Sequence, residues 1–232
     1  MPVTDLHRDI AAIALRAAAR HGFALGGGVA LQAHGIISRP TEDVDLFTDQ
    51  EHGVAAAAGA VEASLRAAGY DAEPQDKTAG LSEVWEEIGD GLAEWIITAP
   101  DGRQMILQMA YFHRTSLPVV MEFGPVLDLD DVLAGKTAAL ASRAFERDYI
   151  DVAAALGRGY TVARLIKLAA GLDPGLAAED FAEAGVRLDR LPDDRFARYG
   201  LTTADVARLR KRFKPWPRTP AIVPGVPPRP PE

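Results

Sequence analysis

The stretch that decides the fold reads LGGGVALQAHGIISRPTEDVDLFT and covers residues 25–48. Its first half places three glycines, Gly26, Gly27 and Gly28, directly before an apolar segment that predicts a short helix at 29–33. Glycine lets the backbone approach a phosphate closely, and the N–H groups that begin a helix attract anions. A glycine triplet alone is more often a flexible turn, so the residues that follow it decide between the two interpretations.

The second half of this stretch alternates polar and apolar side chains, as a strand with one buried face does. In such a strand Thr41, Asp43 and Asp45 share one face, while Val44 and Leu46 point into the core. Two neighbouring carboxylates form a hard, oxygen-only site suited to Mg²⁺, which can bridge the phosphates of a nucleoside triphosphate. An Asp-Val-Asp alone is typical of a surface edge. Placed after the glycines, it predicts a metal site at Asp43 and Asp45.

Two polar residues directly upstream of the carboxylates strengthen this interpretation. Arg39 supplies a fixed positive charge and Thr41 a hydroxyl, and both are groups that bind phosphate. We therefore predict that the glycine turn, Arg39 and Thr41 bind the nucleotide, and that Asp43 and Asp45 are catalytic and hold the metal.

The composition excludes several other kinds of site. The 232 residues contain no cysteine, so disulfides, thiolate zinc sites and cysteine nucleophiles are excluded. The net charge of −8 argues against broad, non-specific binding to nucleic acid, which relies on a basic surface. No apolar run reaches the ~20 residues of a membrane helix, and the acids Asp5 and Asp9 do not fit a signal peptide. We therefore expect a cytoplasmic protein with no membrane partner.

The pattern of apolar residues predicts an N-terminal α/β part and a C-terminal helical part, with a boundary near residue 127. The first part has strand patterns at 43–48, 94–98 and 103–110, the last two joined by the hairpin turn Pro100-Asp101-Gly102. Residues 128–213 show helical patterns only. Residues 214–232 are rich in proline and are expected to form an extended or disordered tail.

Residues 25–47 resemble the signature of the polymerase-beta-type nucleotidyltransferase superfamily, in which a glycine turn opens a short helix and an Asp-x-Asp strand follows. Within that superfamily, GGGVALQAHGIISRPTEDVDLF is similar to the AbiEii/AbiGii (MenT-like) toxin family. The resemblance implies an α/β (α+β) fold. It would consist of a small mixed-sheet nucleotidyltransferase core at 1–127 and a C-terminal helical region at 128–213 that completes the active-site cleft.

A second motif supports the same resemblance. A helical pattern carries Lys136 and Arg143, and RDYIDV follows at residues 147–152; this resembles the family's Lys- and Arg-bearing helix followed by Arg/Lys-Asp-x-x-Asp-Leu. The resemblance implies that Lys136 and Arg143 contact the nucleotide and that an acid of the pair Asp148 and Asp151 completes the catalytic site. We expect Asp151 to face the cleft and Asp148 to pair with Arg143 or Arg147. Taken alone, the motif would be a surface ion-pair network.

The superfamily usually has a third metal carboxylate on a later strand, and the expected position here holds Gln108. A neutral amide cannot help to neutralise a second Mg²⁺. Three outcomes stay open. Glu94 on the neighbouring strand supplies the acid, or the site holds one metal well and a second one poorly, or catalysis is impaired.

Together these features predict a Mg²⁺-dependent enzyme that transfers a nucleotide from an NTP to an acceptor hydroxyl. The family resemblance implies the toxin of a toxin–antitoxin pair that acts on tRNA and is restrained by an antitoxin encoded nearby. Two alternatives stay open: a nucleotidyltransferase that modifies a small molecule or a protein, and a nucleotide-binding or interaction module that has lost catalysis.

A cluster of basic and aromatic residues at 208–218 is a candidate RNA-binding site. Phe213 and Trp216 are interleaved with the arginines and lysines of residues 208–218, a combination that can hold RNA backbone and bases. A solvated helix end is the commoner explanation of such a cluster. Trp85 and Trp95 are expected to be core side chains rather than stacking platforms for a ligand.

Overall fold

The computed structural model describes residues 4–75 and 91–229. Contacts among them divide the chain into two compact units. The first unit comprises the described residues up to His34 and from Pro40 to Asp128, and the second comprises Gly35–Arg39 and the described residues from Leu129 onward. Arg39, which lies inside the first sequence motif, therefore belongs structurally to the second unit.

In the described residues, seven strands form one mixed sheet in the first unit. In chain order they are β1 (Ala24–Leu25), β2 (Asp43–Thr48), β3 (Asp71–Pro74), β4 (Leu92–Thr98), β5 (Gln104–Tyr111), β6 (Val119–Met121) and β7 (Gly124–Val126). Their order across the sheet is β3-β4-β5-β2-β1-β7-β6. β2 runs parallel to β5 and antiparallel to β1, and β5 runs antiparallel to β4. The strand that carries Asp43 and Asp45 is thus central, with hydrogen-bonded neighbours on both sides.

The described residues of the first unit also form three α-helices: α1 (Asp5–Ala17), α2 (Gly27–Ala33) and α3 (Gly53–Ala67). α1 begins after Thr4, whose hydroxyl accepts a hydrogen bond from the His7 N–H at 3.4 Å and so satisfies a donor that a helix start leaves open. Leu6, Ile10 and Ala14 recur at helical spacing along α1 and are buried. The same periodicity buries Val61 and Leu65 of α3.

The second unit contains helices and no strand in its described residues, as predicted. These are α4 (Leu129–Ser142), α5 (Glu146–Gly157), α6 (Val162–Leu172), α7 (Ala178–Arg190) and α8 (Thr203–Arg212), with a 3₁₀ helix at Asp193–Tyr199. α4 packs against α5, α6 and α7 and is the centre of this unit. Its Leu133 and Leu140 are fully buried.

The tail expected to be extended or disordered is instead folded against α7 over its described part. The Trp216 indole N–H donates to the Phe181 carbonyl at 2.9 Å, and the Ala178 N–H donates to the Pro227 carbonyl at 3.0 Å. Val223 and Val226 are buried. The apolar residues between the prolines make these contacts. The prediction was based on proline content alone and did not consider these residues.

Two further expectations can be compared with the structure. Trp95 is 3% exposed and its indole N–H donates to Glu62 at 3.1 Å, so it is a core residue as predicted. Trp85 lies outside the described residues. None of the helices in residues 4–75 and 91–229 is long and apolar enough to cross a membrane.

Candidate active site

The glycine turn lies directly against the strand that bears the two carboxylates. The Gly26 N–H donates to the Asp45 carbonyl at 2.8 Å. Gly27 has a φ of +59°, and a Cβ built on it would lie 1.7 Å from Asp45 Oδ2. A Cβ on Gly26 would lie 2.2 Å from the Phe47 ring. Glycine is therefore required here for a close approach of backbone to carboxylate, and at Gly27 also for a positive φ.

Asp43 and Asp45 lie on one face of β2, as predicted. The residues between and after them, Val44 and Leu46, are fully buried, whereas both aspartates are partly exposed. Because successive strand residues point to opposite faces, this alternation fixes the two carboxylates on the same side of the sheet. The Thr41 hydroxyl donates to Asp43 Oδ1 at 2.7 Å, so Thr41 orients a candidate metal ligand.

The position expected to hold a third acid lies next to Asp45 in the sheet. Asp45 pairs in register with Gln108 of β5, and Gln108 pairs with Glu94 of β4, so the three side chains form a row on one face. The Gln108 amide donates to Glu94 Oε2 at 3.1 Å. Gln108 therefore occupies the position beside Asp45 that the sequence predicted for it. The next carboxylate of the row, Glu94, lies one strand further away on β4.

The donors on this face fit a divalent cation of the magnesium type. Carboxylate oxygens are hard ligands, and Mg²⁺ is usually bound by one or two carboxylates together with substrate phosphates. The backbone of Gly27 leaves open a space beside Asp45 Oδ2 that any Cβ would fill. Within residues 4–75 and 91–229, no group of three or more His, Asp or Glu side chains is arranged to hold a metal ion. Asp43 and Asp45 are the candidate ligands that the sequence predicts on this face.

His7 of α1 also belongs to this neighbourhood, and sequence reasoning missed it. It is 6% exposed, and its Nε2 lies 3.2 Å from the Thr41 carbonyl oxygen. Burial lowers the pKa of His7 below its ordinary value, against the opposing effects of this hydrogen bond and of the Asp43 carboxylate. The ring is therefore neutral near pH 7. A single histidine in an amphipathic helix matches no motif, so only the tertiary contact reveals it.

In the second unit, Asp151 is the centre of a buried ion cluster. Its two oxygens accept from Arg39 Nε and Nη2 at 2.7 Å each, and Lys136 Nζ lies 3.3 Å from Oδ2. The Asp151 side chain is fully buried, and those of Arg39 and Lys136 are 5% and 13% exposed. A carboxylate held this way orients both cations, and its charge offsets the cost of burying them.

Asp148 makes a separate contact. Its carboxylate accepts from Arg143 Nε at 3.0 Å and Nη2 at 3.1 Å, which is one of the two pairings that the sequence predicted. It also accepts from the Phe145 N–H at 3.2 Å and so completes the start of α5. Asp148 is fully buried, while the Arg143 side chain is 41% exposed. Arg143 is thus held by Asp148 while its side chain remains partly exposed.

The basic cluster near the C-terminus does not present its aromatic residues for base stacking. Phe213 and Trp216 are 0% and 2% exposed and form part of the core. Arg210 pairs with Asp193 at 2.8 Å, and Arg218 pairs with Asp189 at 2.9 Å. The commoner explanation of this cluster, a helix end with its own ion pairs, therefore holds for these residues.

The glycine turn against an Asp-x-Asp strand, at the centre of a mixed sheet, is the arrangement that the resemblance to nucleotidyltransferases predicts. A family model described as "Nucleotidyl transferase AbiEii toxin, Type IV TA system" matches residues 8–215. The chain therefore belongs to this family of nucleotidyltransferase toxins. Among curated proteins, none matches the sequence.

Solved structures show the same fold. The nucleotidyltransferase toxin MenT4 from Mycobacterium tuberculosis H37Rv is similar with a TM-score of 0.56 and 17% identity, over 90% of this chain and 81% of that chain. The protein JHP933 from Helicobacter pylori is similar with a TM-score of 0.55 and 14% identity, over 90% and 91% of the two chains. At these identities the likeness concerns the fold.

Proposed function

We propose that this protein transfers a nucleotide from an NTP to a hydroxyl of RNA, in a reaction that depends on Mg²⁺. In this transfer the acceptor oxygen forms a bond to the α-phosphorus, the bond from that phosphorus to the bridging oxygen breaks, and pyrophosphate leaves as the hydroxyl proton is released. The observation that carries the proposal is the placement of Asp43 and Asp45 on one face of β2 with the Gly27 backbone against Asp45.

The candidate site residues of the first unit have separate roles in the proposed reaction. Asp43 and Asp45 hold Mg²⁺, and the bound cation supplies charge neutralisation for the triphosphate. The turn Gly26–Gly28 cradles the phosphates with the backbone N–H groups of Gly27 and Gly28, because the Gly26 N–H donates to the Asp45 carbonyl at 2.8 Å. Thr41 keeps the Asp43 carboxylate in one orientation through its 2.7 Å hydrogen bond.

We assign the cations of the second unit to the phosphates of the nucleotide. Lys136 neutralises charge that develops on the leaving phosphates, with Asp151 fixing its position through the 3.3 Å contact. Arg39 contributes to nucleotide binding through Asp151, because two of its nitrogens are already engaged there. Arg143, whose side chain is 41% exposed, is assigned to direct phosphate contact, with Asp148 as its anchor.

For the acceptor we propose tRNA, with an antitoxin encoded nearby that restrains the activity in the cytoplasm. Membership of a toxin family supports a target whose modification stops growth. The net charge of −8 favours recognition of a particular RNA end over general RNA binding. A small-molecule or protein hydroxyl is the alternative acceptor.

The decisive experiment supplies the purified protein with each of the four α-³²P-labelled NTPs, Mg²⁺, and total tRNA. We expect label in the tRNA band with one NTP or a subset of NTPs, and none when Mg²⁺ is removed with EDTA. Label in protein or in a small molecule from a cell extract, with none in tRNA, would replace the proposed acceptor. Absence of transfer to any acceptor would favour a nucleotide-binding module that has lost catalysis.

Gln108 offers a second test of the metal site. We expect Gln108→Glu to raise the transfer rate at limiting Mg²⁺ by about threefold to tenfold, because a carboxylate beside Asp45 favours divalent-cation binding. The measurement is the transfer rate as a function of Mg²⁺ concentration. The matched control is Gln104→Glu, which adds the same charge at an exposed position of the same strand.

The opposite result would also be informative. If Glu94 already serves the site, Gln108→Glu lowers transfer through like-charge repulsion, and Glu94→Ala abolishes it. Two carboxylates would suffice if transfer is vigorous in the wild-type protein and unchanged by substitutions at Gln108 and Glu94.

A further inference from the structure

A chain of three hydrogen bonds joins the start of α1 to the carboxylate of Asp43. The Thr4 hydroxyl lies 2.5 Å from His7 Nδ1, His7 Nε2 lies 3.2 Å from the Thr41 carbonyl, and the Thr41 hydroxyl donates to Asp43 Oδ1 at 2.7 Å. These three hydrogen bonds therefore connect residue 4 with residue 43, which lie 39 positions apart in the sequence. A helix cap and a candidate metal ligand are thereby coupled.

The chemistry of the acceptors fixes the direction of each bond. A carbonyl oxygen can only accept, so His7 Nε2 carries the proton in its bond to Thr41. In a neutral imidazole the other nitrogen is then an acceptor, so Nδ1 accepts a hydrogen bond from the Thr4 hydroxyl. The Thr4 oxygen in turn accepts from the His7 N–H. One tautomer satisfies all of these bonds at once.

We propose that His7 is a positioning residue for the metal site, holding the Thr41 backbone so that the Thr41 hydroxyl keeps Asp43 in its metal-binding orientation. This inference rests on the proposed role of Asp43 as a metal ligand. The chain before Asp43 leaves the first unit at Gly35 and re-enters it at Pro40, so Thr41 lies at the point of re-entry. The hydrogen bond from His7 to the Thr41 carbonyl fixes the backbone at that point.

Burial explains why a histidine suits this place. At 6% exposure a charged side chain would pay a high desolvation cost, while the neutral ring offers one donor and one acceptor on opposite sides. Its lowered pKa keeps the ring in that neutral form. Groups that hold a metal ligand in place typically change metal affinity by about 10–100-fold when removed. His7 is one hydrogen bond further from the ligand Asp43 than Thr41 is, so a smaller effect is expected.

The first test measures the tautomer and does not depend on activity. Long-range ¹H–¹⁵N correlation spectra of the wild-type protein at pH 7.5, with the His7 signals assigned from a His7→Gln sample, are expected to show a neutral ring protonated on Nε2. A ring protonated on Nδ1 or on both nitrogens would overturn the inference.

The second test compares two amides that each reproduce half of the imidazole. His7→Gln keeps a donor near the position of Nε2, whereas His7→Asn is too short to reach the Thr41 carbonyl. Titration with Mn²⁺ monitored by EPR is expected to give His7→Asn a Kd raised by about threefold to tenfold, and His7→Gln a Kd within about twofold of wild type. His34→Asn is the matched control, because it removes a comparable bond, from His34 Nε2 to the Leu127 carbonyl at 2.8 Å, which is not one of the three hydrogen bonds between Thr4 and Asp43.

Asp43→Asn separates failure of this inference from failure of the proposed function. If Asp43→Asn weakens Mn²⁺ binding and His7→Asn does not, His7 has no positioning role and the metal site stands. If Asp43→Asn binds Mn²⁺ as the wild type does, the metal site itself is wrong and the inference falls with it. Equal weakening by His7→Asn and His34→Asn would show a general loss of stability and would also overturn the inference.

Discussion

Replacing Asp45 by asparagine is expected to lower nucleotide transfer by at least about a thousandfold, which is about 4 kcal/mol of transition-state stabilisation. The amide keeps the shape of the side chain but removes the negative charge that a divalent cation requires. Asp43 and Asp45 share one face of β2, so removing one charge also relieves the repulsion between them. The measurements are the initial rate with α-labelled NTP and the thermal unfolding midpoint.

Asp71→Asn is the matched control for this substitution. Asp71 is an exposed aspartate on β3 of the same sheet, so its replacement changes the net charge equally at a site remote from the glycine turn along the strand order. We expect its transfer rate to remain within about twofold of the wild type, as for most surface substitutions. Transfer that survives Asp45→Asn would show that the carboxylate is not a metal ligand in the reaction.

The local patterns of this sequence predicted the central elements well. The alternation in DVDLFT predicted a strand at 43–48, and β2 occupies these residues because Val44 and Leu46 alternate with the aspartates. The turn Pro100-Asp101-Gly102 predicted the hairpin of β4 and β5. The strands β3 and β7 were not predicted, because each is short and contains a proline, which weakens a strand pattern.

Contacts between distant residues account for what the sequence could not predict about the site. Asp151 and Arg39 are 112 positions apart, and no period or motif indicates that one would bind the other. Asp151 was expected to face the cleft; within the second unit its side chain is fully buried and contacts Arg39 and Lys136. His7 is likewise joined to Thr41 across 34 positions. Sequence spacing predicts which residues share a face, but not what packs against that face.

The second large effect is expected at the glycine turn, where Gly27→Ala should reduce transfer as severely as Asp45→Asn. A Cβ at this position would lie 1.7 Å from Asp45 Oδ2 and 3.0 Å from Asp45 Cβ, so rotation of the carboxylate cannot relieve the contact fully. The φ of +59° adds about 1–2 kcal/mol of strain for any residue with a Cβ. This strain and the displacement of the Asp45 side chain together should lower the free energy of unfolding by about 2–5 kcal/mol.

Gly59→Ala provides the comparison that isolates this geometry. Gly59 lies inside α3, has no neighbour within 4 Å of an added Cβ, and should gain about 0.5–1 kcal/mol in stability on replacement by alanine, with transfer unchanged. The double variant Gly27→Ala/Asp45→Asn should transfer no more slowly than either single variant, because both remove the same carboxylate from the site. Rates that fall multiplicatively would instead mean that Gly27 acts independently of Asp45, through the phosphates alone.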